Sequence, residues 1–355
     1  MHRRTFIKLT GTGVIAVAAG SLFTGCDTPA PELKVGAGFT ARRIATSGQV
    51  VPGSNYTWHA DPDGGAVFAQ PDGGWVYVSN AESAAGGASM VRFTSTGEVV
   101  GAGRILSGTV SNCAGGATPW GTWLSCEEHD HGRVHECDPL GVTEAVARPA
   151  MGVFRHEAAA ADPIGKRIYL TEDQPDGGLY RFTPTRWTDL SAGILEVLTE
   201  RSGVLAWNTV PDPTASSVAT RSQVSGTKPF SGGEGTCWSV DSICFTTKYD
   251  NKVWRYTPST NTLAVIYDAA TSPNPILTGV DNITAGPGGD LFVAEDGGDM
   301  QVVRLHVDGT VSEVVQVTGV TGSEITGPAF SPDGTRLYFS SQRNPGATYE
   351  VRGPF

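Results

Sequence analysis

Short apolar runs that end in small or charged residues recur along the chain. Each run has the length and the β-branched and aromatic content of a buried strand. The six runs are WVYVSNAE (residues 75–82), TWLSCEE (122–128), IYLTED (168–173), ICFTTK (243–248), LFVAED (291–296) and LYFSSQ (337–342). A turn and a further apolar strand follow, as in residues 90–93 and 252–256. The pattern predicts several antiparallel strands in each repeat.

The spacing of these runs predicts the fold. Glu82, Glu127 and Glu172 are 45 residues apart, and the later repeats keep a similar period except for one longer step that contains an insertion at about 190–229. Repeats of this length with four short strands are typical of propeller blades. We therefore predict an all-β, six-bladed β-propeller over residues 33–355. Residues 39–44 are expected to add an outer strand that closes the ring with the last blade.

Composition agrees with a turn-rich β protein. The 355 residues include 46 Gly and 22 Pro, only 17% are charged, and 39% are hydrophobic, which is enough for a sizeable core. Acidic residues number 36 against 25 Lys and Arg, a net charge of -11. Such a surface repels phosphate backbones, so we expect no nucleic-acid partner. We also expect a monomer.

The N-terminus predicts export. RRTFIK at residues 3–8 precedes a short apolar stretch and matches the twin-arginine type of signal peptide. LFTGC at residues 22–26 is similar to a lipobox, which makes Cys26 the expected lipidated residue; cleavage without a lipid is the alternative. We assign residues 1–25 to the signal peptide and 26–32 to a linker. The expected location is the cell envelope, with contact to the membrane only through the lipid.

Two positions in each repeat are polar although strand packing does not require it. The first position, at the start of the innermost strand, is occupied by Asp63, Cys113, Glu157, Glu234, Asp281 and Gly327. The second, at the end of the next strand, is occupied by Glu82, Glu127-Glu128, Glu172-Asp173, Thr247-Lys248, Glu295-Asp296 and Ser341-Gln342. In a propeller both strand ends lie toward one mouth of the central channel.

Carboxylates at such density cannot all stay ionised without a cation between them. Oxygen ligands in this number suit Ca²⁺, and the thiolate of Cys113 among them favours a transition metal, iron rather than zinc. We therefore expect calcium and iron as cofactors. The alternative is that these residues are solvated turn acids.

Several segments resemble a known family, the PhoX-type alkaline phosphatases. The most specific is NCAGGATPWGTWLSCEE at residues 112–128. MGVFRHE (151–157), YLTED (169–173), GEG (233–235) and the stretch from DN (281–282) to ED (295–296) are similar to the segments that follow it. The resemblance extends from about residue 61 to residue 298, and the chain would be a short member of the family.

The resemblance implies a propeller whose channel holds an iron–calcium cluster and hydrolyses phosphomonoesters. Cys113 would be an iron ligand, and the acids shared among iron and calcium would be Glu127, Glu128, Glu157, Glu172, Glu234, Asp281 and Glu295. From the repeat positions, Asp63, Glu82, Asp173 and Asp296 join the expected metal ligands.

A basic phosphate clamp is missing before Glu234, where the family would suggest one. Arg155, Lys248 and Arg343 are the candidate replacements, or else ordinary exposed bases. His156 is a candidate donor to the phosphate or a support for a metal ligand. The expected substrate is a small phosphorylated molecule.

Two other functions are compatible with the sequence. One is a lactonase-type propeller hydrolase with a single calcium, which leaves Cys113 and the paired acids unexplained. The other is a non-catalytic propeller that binds a metal or another ligand. Two hairpins place cysteines near each other, at residues 237 and 244 and at 126 and 137, which suggests two disulfides; free buried thiols are the alternative.

Overall fold

The computed structural model describes residues 28–30 and 32–355, in which twenty-seven strands form six antiparallel sheets. The predicted signal peptide and Cys26 lie outside the described residues. The described residues form no α-helix, only three single turns of 3-10 helix, at Pro149–Met151, Thr220–Ser222 and Pro287–Gly289. No helix in this part of the chain is long and apolar enough to cross a bilayer.

Each sheet is one blade, and its strands run from the central channel outward in chain order. Three strands precede the first blade: β1 (Thr28–Pro29), β2 (Leu33–Val35) and β3 (Thr40–Thr46). Blade 1 contains β4 (Pro62–Ala69), β5 (Trp75–Ala81), β6 (Ala88–Phe93) and β7 (Val99–Leu106), and blade 2 contains β8 (Asn112–Ala117), β9 (Trp123–Glu127), β10 (Val134–Cys137) and β11 (Val146–Ala147).

The remaining blades repeat this arrangement. Blade 3 contains β12 (His156–Asp162), β13 (Arg167–Glu172), β14 (Leu179–Arg186), β15 (Asp189–Arg201) and β16 (Val204–Thr209), and blade 4 contains β17 (Gly233–Ser239), β18 (Ser242–Thr247), β19 (Lys252–Thr257) and β20 (Thr262–Asp268). Blade 5 contains β21 (Val280–Ala285), β22 (Leu291–Glu295), β23 (Gln301–Leu305) and β24 (Val311–Val317), and blade 6 contains β25 (Ile325–Phe330), β26 (Arg336–Ser341) and β27 (Ala347–Arg352). The predicted all-β, six-bladed propeller is confirmed.

The N-terminal strands close the ring as the sequence predicts. Strand β3 pairs antiparallel with β27 and becomes the fourth strand of blade 6, and β2 pairs with β24 at the outer edge of blade 5. The first and last parts of the chain therefore share one sheet, which ties the ring together without a covalent link.

The innermost strands contact one another around the channel, from β4 through β8, β12, β17 and β21 to β25 and back to β4. Glycines permit this close approach. A Cβ added at Gly64 would lie 2.4 Å from the Cα of Ala114, and one added at Gly116 would lie 1.7 Å from the carbonyl oxygen of Ala159. The narrow channel brings polar groups from all six blades within contact distance.

The apolar core is divided into six clusters, and each cluster lies between two neighbouring blades. Between blades 6 and 1, for example, the rings of Tyr77 and Tyr338 stack with centroids 5.4 Å apart, beside Trp75 and Phe93. Burial of these large side chains on both faces of every sheet supplies most of the stabilising free energy of the ring.

Residues 190–229 extend blade 3. They contain most of the long strand β15, the additional strand β16 and a loop with the 3-10 turn at Thr220–Ser222. The loop returns toward the channel mouth, where the Thr220 hydroxyl donates to the Val153 carbonyl at 2.7 Å. The segment thereby brings Arg221 to within 3.0 Å of Glu172.

Candidate metal centre

A β-bulge interrupts every innermost strand close to its start. In each blade the pairing with the second strand shifts so that two residues oppose one, for example residues 63 and 64 between the pairs Pro62–Ala81 and Gly65–Ser79. A bulge bends the strand locally and changes the direction of the side chain at that position. The first bulge residue of each blade is the first polar position of the sequence: Asp63, Cys113, Glu157, Glu234, Asp281 and Gly327.

Side chains that the sequence analysis did not single out hold neighbouring bulges together. The Asn80 amide donates to the carbonyls of Cys113 and Ala114 at 3.0 and 2.8 Å. The hydroxyls of Thr171 and Thr246 donate to the carbonyls of Glu234 and Asp281, each at 2.5 Å. These residues recur on the second strand opposite or beside a bulge, which is the sequence signal that would have identified them.

The bulges bring nine side chains into four overlapping groups at one mouth of the channel. Within each group the possible ligand atoms all lie within 4.8 Å of one another. The groups are Asp63, Glu82 and Cys113; Cys113, Glu128 and Glu157; Glu157, Glu234 and Asp281; and Asp281, Asp296 and Glu324. Cys113, Glu157 and Asp281 each belong to two groups, so the cluster is continuous from blade 1 to blade 6.

The second polar position divides into two residues with different environments. In four blades the backbone N–H of the second residue donates to the carbonyl of the residue two positions before the first bulge residue of the same blade. The four donors are Glu82, Glu128, Lys248 and Asp296. These residues, with Asp173 and Gln342 in the other two blades, form what we call the channel row. Their side chains lie at the mouth, although Asp173 is not part of any of the four groups.

The preceding residues have a structural role, and we call Glu127, Glu172 and Glu295 the brace row. The carboxylate of Glu127 accepts from the backbone N–H groups of Val110 and Arg133 at 3.0 and 3.2 Å. Glu295 accepts in the same way from Thr278 and Gln301 at 2.9 and 3.1 Å.

Glu172, the third member of this row, is fully buried. It accepts from the N–H of Gly178 at 3.0 Å and from the Tyr180 hydroxyl at 2.7 Å, and it pairs with Arg221 at 3.0 Å. The structure thus does not bring the three expected ligands of the brace row into the cluster, because their oxygens already accept hydrogen bonds within their own blades and loops.

The carboxyl groups of the cluster are buried and close to one another. Burial raises the pKa of Asp63, Glu157 and Glu234 well above the ordinary range, and the neighbouring carboxylates raise it further. Burial and the adjacent Glu82 raise the pKa of Glu128 to about 8. Without cations, part of the cluster therefore holds protons at neutral pH.

Glu324 is a member of the cluster that the sequence analysis missed. It precedes β25. Gly327, the bulge residue of blade 6, has no side chain, and the carboxylate of Glu324 takes the place of the missing ligand. Burial, with Asp281 and Asp63 nearby, raises its pKa to about 10. No spacing rule pointed to Glu324, because it lies three residues before the repeat position.

Cys113 is the one thiol in the cluster. Its Sγ lies 3.1 Å from an oxygen of Glu157. Burial raises the pKa of this thiol, and the charges of Asp63 and Glu157 raise it further. A thiol here would ionise only with a cation beside it, as metal-bound cysteines do.

The donor set fits the metals that the resemblance implies. Hard carboxylate oxygens dominate, and a single thiol is shared by two of the groups. The Oε1 atom of Gln342 is fully buried next to the cluster and has no hydrogen-bond partner, and Asp173 has one such buried oxygen. The other end of the Gln342 amide donates to Asp63 and Glu82 at 2.5 and 2.9 Å. Buried acceptors without donors indicate space for cations.

Three of the four candidate catalytic residues lie at the mouth. Arg343 pairs with Glu324 at 2.7 Å and with Glu82 at 3.4 Å. Arg155 pairs with Asp130 at 2.8 Å and lies 3.9 Å from Glu128.

Lys248, the third of these bases, pairs with Glu234 at 2.8 Å.

The structure places His156 elsewhere. Its ring is fully buried, stacks on Phe154 with centroids 3.6 Å apart, and bonds the Gly152 carbonyl at 3.1 Å. Burial lowers its pKa to about 3, so the ring is neutral. The expectation that His156 donates to a phosphate is therefore not supported by its position, which is determined by packing behind the bulge.

All five cysteines in the described residues are free thiols. Cys237 and Cys244 face each other across β17 and β18, as the sequence suggested. Cys126 faces Val134, and Cys137 faces Trp123, so these two cysteines are not cross-strand partners. The structure therefore contains free thiols in place of the two suggested disulfides, which is the alternative that the sequence left open.

Beyond the cluster the channel is neutral. A cavity of about 310 Å³ at its other end is lined by small and apolar residues of the inner strands, without an ionisable group except Cys237. Charge is thus confined to the mouth that contains the bulges.

Comparison with known proteins agrees with this architecture. No curated protein is similar enough in sequence to count as a relative. Among solved structures, Pseudomonas fluorescens PhoX in complex with vanadate, a transition state analogue, superposes with a TM-score of 0.75 at 16% identity, over 93% of this chain and 98% of that chain.

Two further structures share the fold more distantly. A gluconolactonase from Xanthomonas campestris has a TM-score of 0.58 at 10% identity, over 93% of this chain and 98% of that chain. The PQQ domain of pyranose dehydrogenase from Coprinopsis cinerea has a TM-score of 0.56 at 12% identity, over 92% and 98%. Identities this low establish the propeller fold alone.

A family model matches part of the chain. The model of the family described as Alkaline phosphatase PhoX matches residues 79–130 and 128–230, which include the bulges of blades 2 and 3. The resemblance found in the sequence is thereby confirmed, and residues 79–230 carry the pattern of the PhoX alkaline phosphatase family.

Proposed function

We propose that this protein is an exported, metal-dependent phosphatase that hydrolyses phosphomonoesters at the bulge-lined mouth of the channel. The observation that carries the proposal is the continuous cluster of buried carboxylates around Cys113. The match to the phosphatase family over residues 79–230 supports the reaction class, as does the similarity to a PhoX structure that binds vanadate.

The proposed cofactors are iron and calcium. The two groups that contain Cys113 would hold iron, because a thiolate among carboxylates favours a transition metal. The two all-oxygen groups, which share Asp281, would hold calcium. The cations would neutralise the charge of the phosphate ester and act as Lewis acids on its oxygens.

The chain itself would orient the substrate through Arg155 and Arg343. Both guanidinium groups are about two-fifths exposed at the mouth, and both already contact a carboxylate of the cluster. Once those carboxylates bind cations, each guanidinium has N–H groups free for a phosphate oxygen. Because the inner channel is neutral, the phosphate would bind at the charged mouth. The organic group of a small ester would then face the solvent.

The cellular context is also part of the proposal. Export by the twin-arginine pathway, a lipid on Cys26 as the only membrane contact, a monomeric state and the absence of a nucleic-acid partner remain predictions from the sequence.

The first experiment measures metals and turnover together. Wild type and Cys113→Ala are exported through their own signal peptide and assayed by elemental analysis and with p-nitrophenyl phosphate. We expect iron and several calcium ions in the wild type. In the variant we expect loss of iron and a fall in kcat/KM of about 100-fold or more.

Cys126→Ala is the matched control, because Cys126 is equally buried but lies in the core between blades 2 and 3. It should retain iron and turnover. Calcium alone, unaffected by Cys113→Ala, would contradict the iron assignment and favour a calcium lactonase. Bound metals without turnover would favour a non-catalytic propeller.

A further inference from the structure

The metal groups follow a rule that relates them to the blades. In blades 1 and 2, a group contains the bulge residue of one blade, the channel-row residue of the same blade and the bulge residue of the next blade. In blade 5 the rule also holds, except that Glu324 replaces the missing side chain of Gly327. The intervals that follow blades 1, 2 and 5 are thus potential cation positions, and the remaining group joins the bulge residues Glu157, Glu234 and Asp281 of blades 3, 4 and 5 without a channel-row residue.

Blade 4 breaks the rule in one residue. Its bulge residue is Glu234 and the bulge residue of blade 5 is Asp281, but the channel-row residue is Lys248. The backbone N–H of Lys248 donates to the Gly232 carbonyl, just as that of Glu128 donates to Ser111 and that of Asp296 to Gly279. Lys248 therefore occupies the same register position as these acids, with the opposite charge.

The ammonium of Lys248 contacts the bulge acid of its own blade and faces the channel-row acids of the two neighbouring blades. Its Nζ is 2.8 Å from Glu234, 3.6 Å from Asp296 and 3.8 Å from Asp173. These carboxylates come from three consecutive blades, and the lysine side chain is about one quarter exposed. One ammonium with three N–H donors thus faces three carboxylates.

Lys248 is the basic residue that pairs with Glu234. Arg155 and Arg343 are more exposed than Lys248, and they pair with Asp130 and Glu324 instead.

We propose that the ammonium of Lys248 takes the place of a metal ion at the channel-row position between blades 4 and 5, beside the calcium proposed for Glu157, Glu234 and Asp281, so that the chain fills one cation position of its cluster with its own side chain. This inference rests on the proposed metal centre. It also gives Lys248 a role in positioning the ligands Glu234 and Asp296, rather than in binding phosphate.

The test counts calcium in variants of the full chain. Wild type, Lys248→Glu and Lys252→Glu are dialysed to equilibrium against excess calcium, and bound calcium per chain is measured by elemental analysis. We expect Lys248→Glu to bind one more calcium ion than wild type. Lys252→Glu is the control, because Lys252 is in the same blade and equally exposed but pairs with Asp250 and Asp268 away from the cluster.

A second variant covers the case in which Lys248→Glu does not fold. In EDTA, Lys248→Met should have a lower Tm than wild type, because the carboxylates lose their internal cation, and calcium should raise its Tm by more than it raises that of wild type. An unchanged calcium count in Lys248→Glu, or equal Tm values for Lys248→Met and wild type in EDTA, would overturn the inference. Absence of calcium and iron from the wild type itself would overturn the metal centre and this inference together.

Discussion

The brace row and the channel row are adjacent in sequence and opposite in function. Glu127, Glu172 and Glu295 each accept hydrogen bonds within the blade or its loops, whereas Glu128, Asp173 and Asp296 lie one residue later at the channel mouth. Successive side chains of a strand point to opposite sides. A shift of one residue therefore separates an acid that accepts hydrogen bonds within its own blade from one that lies at the channel mouth.

The largest expected effect comes from the buried acids of the cluster, through their response to pH. The pKa values of Asp281, Glu128 and Glu324 are raised from 3.8 to about 6, from 4.5 to about 8 and from 4.5 to about 10. The folded state then binds more protons than the unfolded state between these limits, so stability is lost as pH rises. Each such group contributes up to about 1.4 kcal/mol per pH unit within its window.

Urea unfolding of the protein in EDTA between pH 5 and 9 checks this prediction. The free energy of unfolding should fall by several kcal/mol across the range, and excess calcium should remove most of the dependence because bound cations replace the protons. A metal-free protein that gains stability as pH rises from 6 to 8 would contradict the burial of uncompensated acids in the channel.

A smaller effect distinguishes two neighbouring acids. Glu172→Ala should lower the free energy of unfolding by about 3 kcal/mol with or without metal, because it leaves the buried Tyr180 hydroxyl and the Gly178 N–H without an acceptor and removes one of the two carboxylates that pair with Arg221. Asp173→Ala should change the stability of the metal-free protein by less than about 0.5 kcal/mol.

Denaturant unfolding in EDTA and in calcium measures both variants. Tyr180→Phe serves as the control, since it removes one donor to Glu172 and should cost about 1 kcal/mol. Equal losses for Glu172→Ala and Asp173→Ala would remove the distinction between the two rows.

The smallest expected effect sharpens the same contrast in blade 5. Glu295→Gln keeps one acceptor oxygen and should cost about 1 kcal/mol, because one of the N–H groups of Thr278 and Gln301 loses its acceptor. Asp296→Asn should leave the Tm of the metal-free protein unchanged or raise it slightly. Differential scanning calorimetry in EDTA resolves the two, and a larger loss for Asp296→Asn would speak against the assignment of the rows.

Local sequence patterns were sufficient to predict the architecture. Apolar runs at a near-constant period identify the blades, and the six first positions, from Asp63 to Gly327, are the residues that open the six bulges. These features depend on residues that are neighbours along the chain, so their positions can be predicted from the spacing of the sequence.

The same period aligned Glu82 with Glu127 and Glu172, although Glu82 belongs with Glu128 and Asp173. The lengths of the loops vary by more than one residue between repeats. Spacing alone therefore cannot decide which of two adjacent side chains points into the channel. Hydrogen bonds across the strand pairs make that assignment.

The amino-acid sequence determined the all-β class, the number of blades, the closing strand and the first polar position of each blade. Tertiary structure decided which of two adjacent acids faces the channel, that Glu324 joins the cluster, that His156 is sealed in the core, and that Lys248 lies among carboxylates of three blades. The physical reason is that fold follows from short-range hydrophobic periodicity, whereas the charge state and direction of a polar group depend on all the groups packed around it. Those groups come from blades that are distant in sequence.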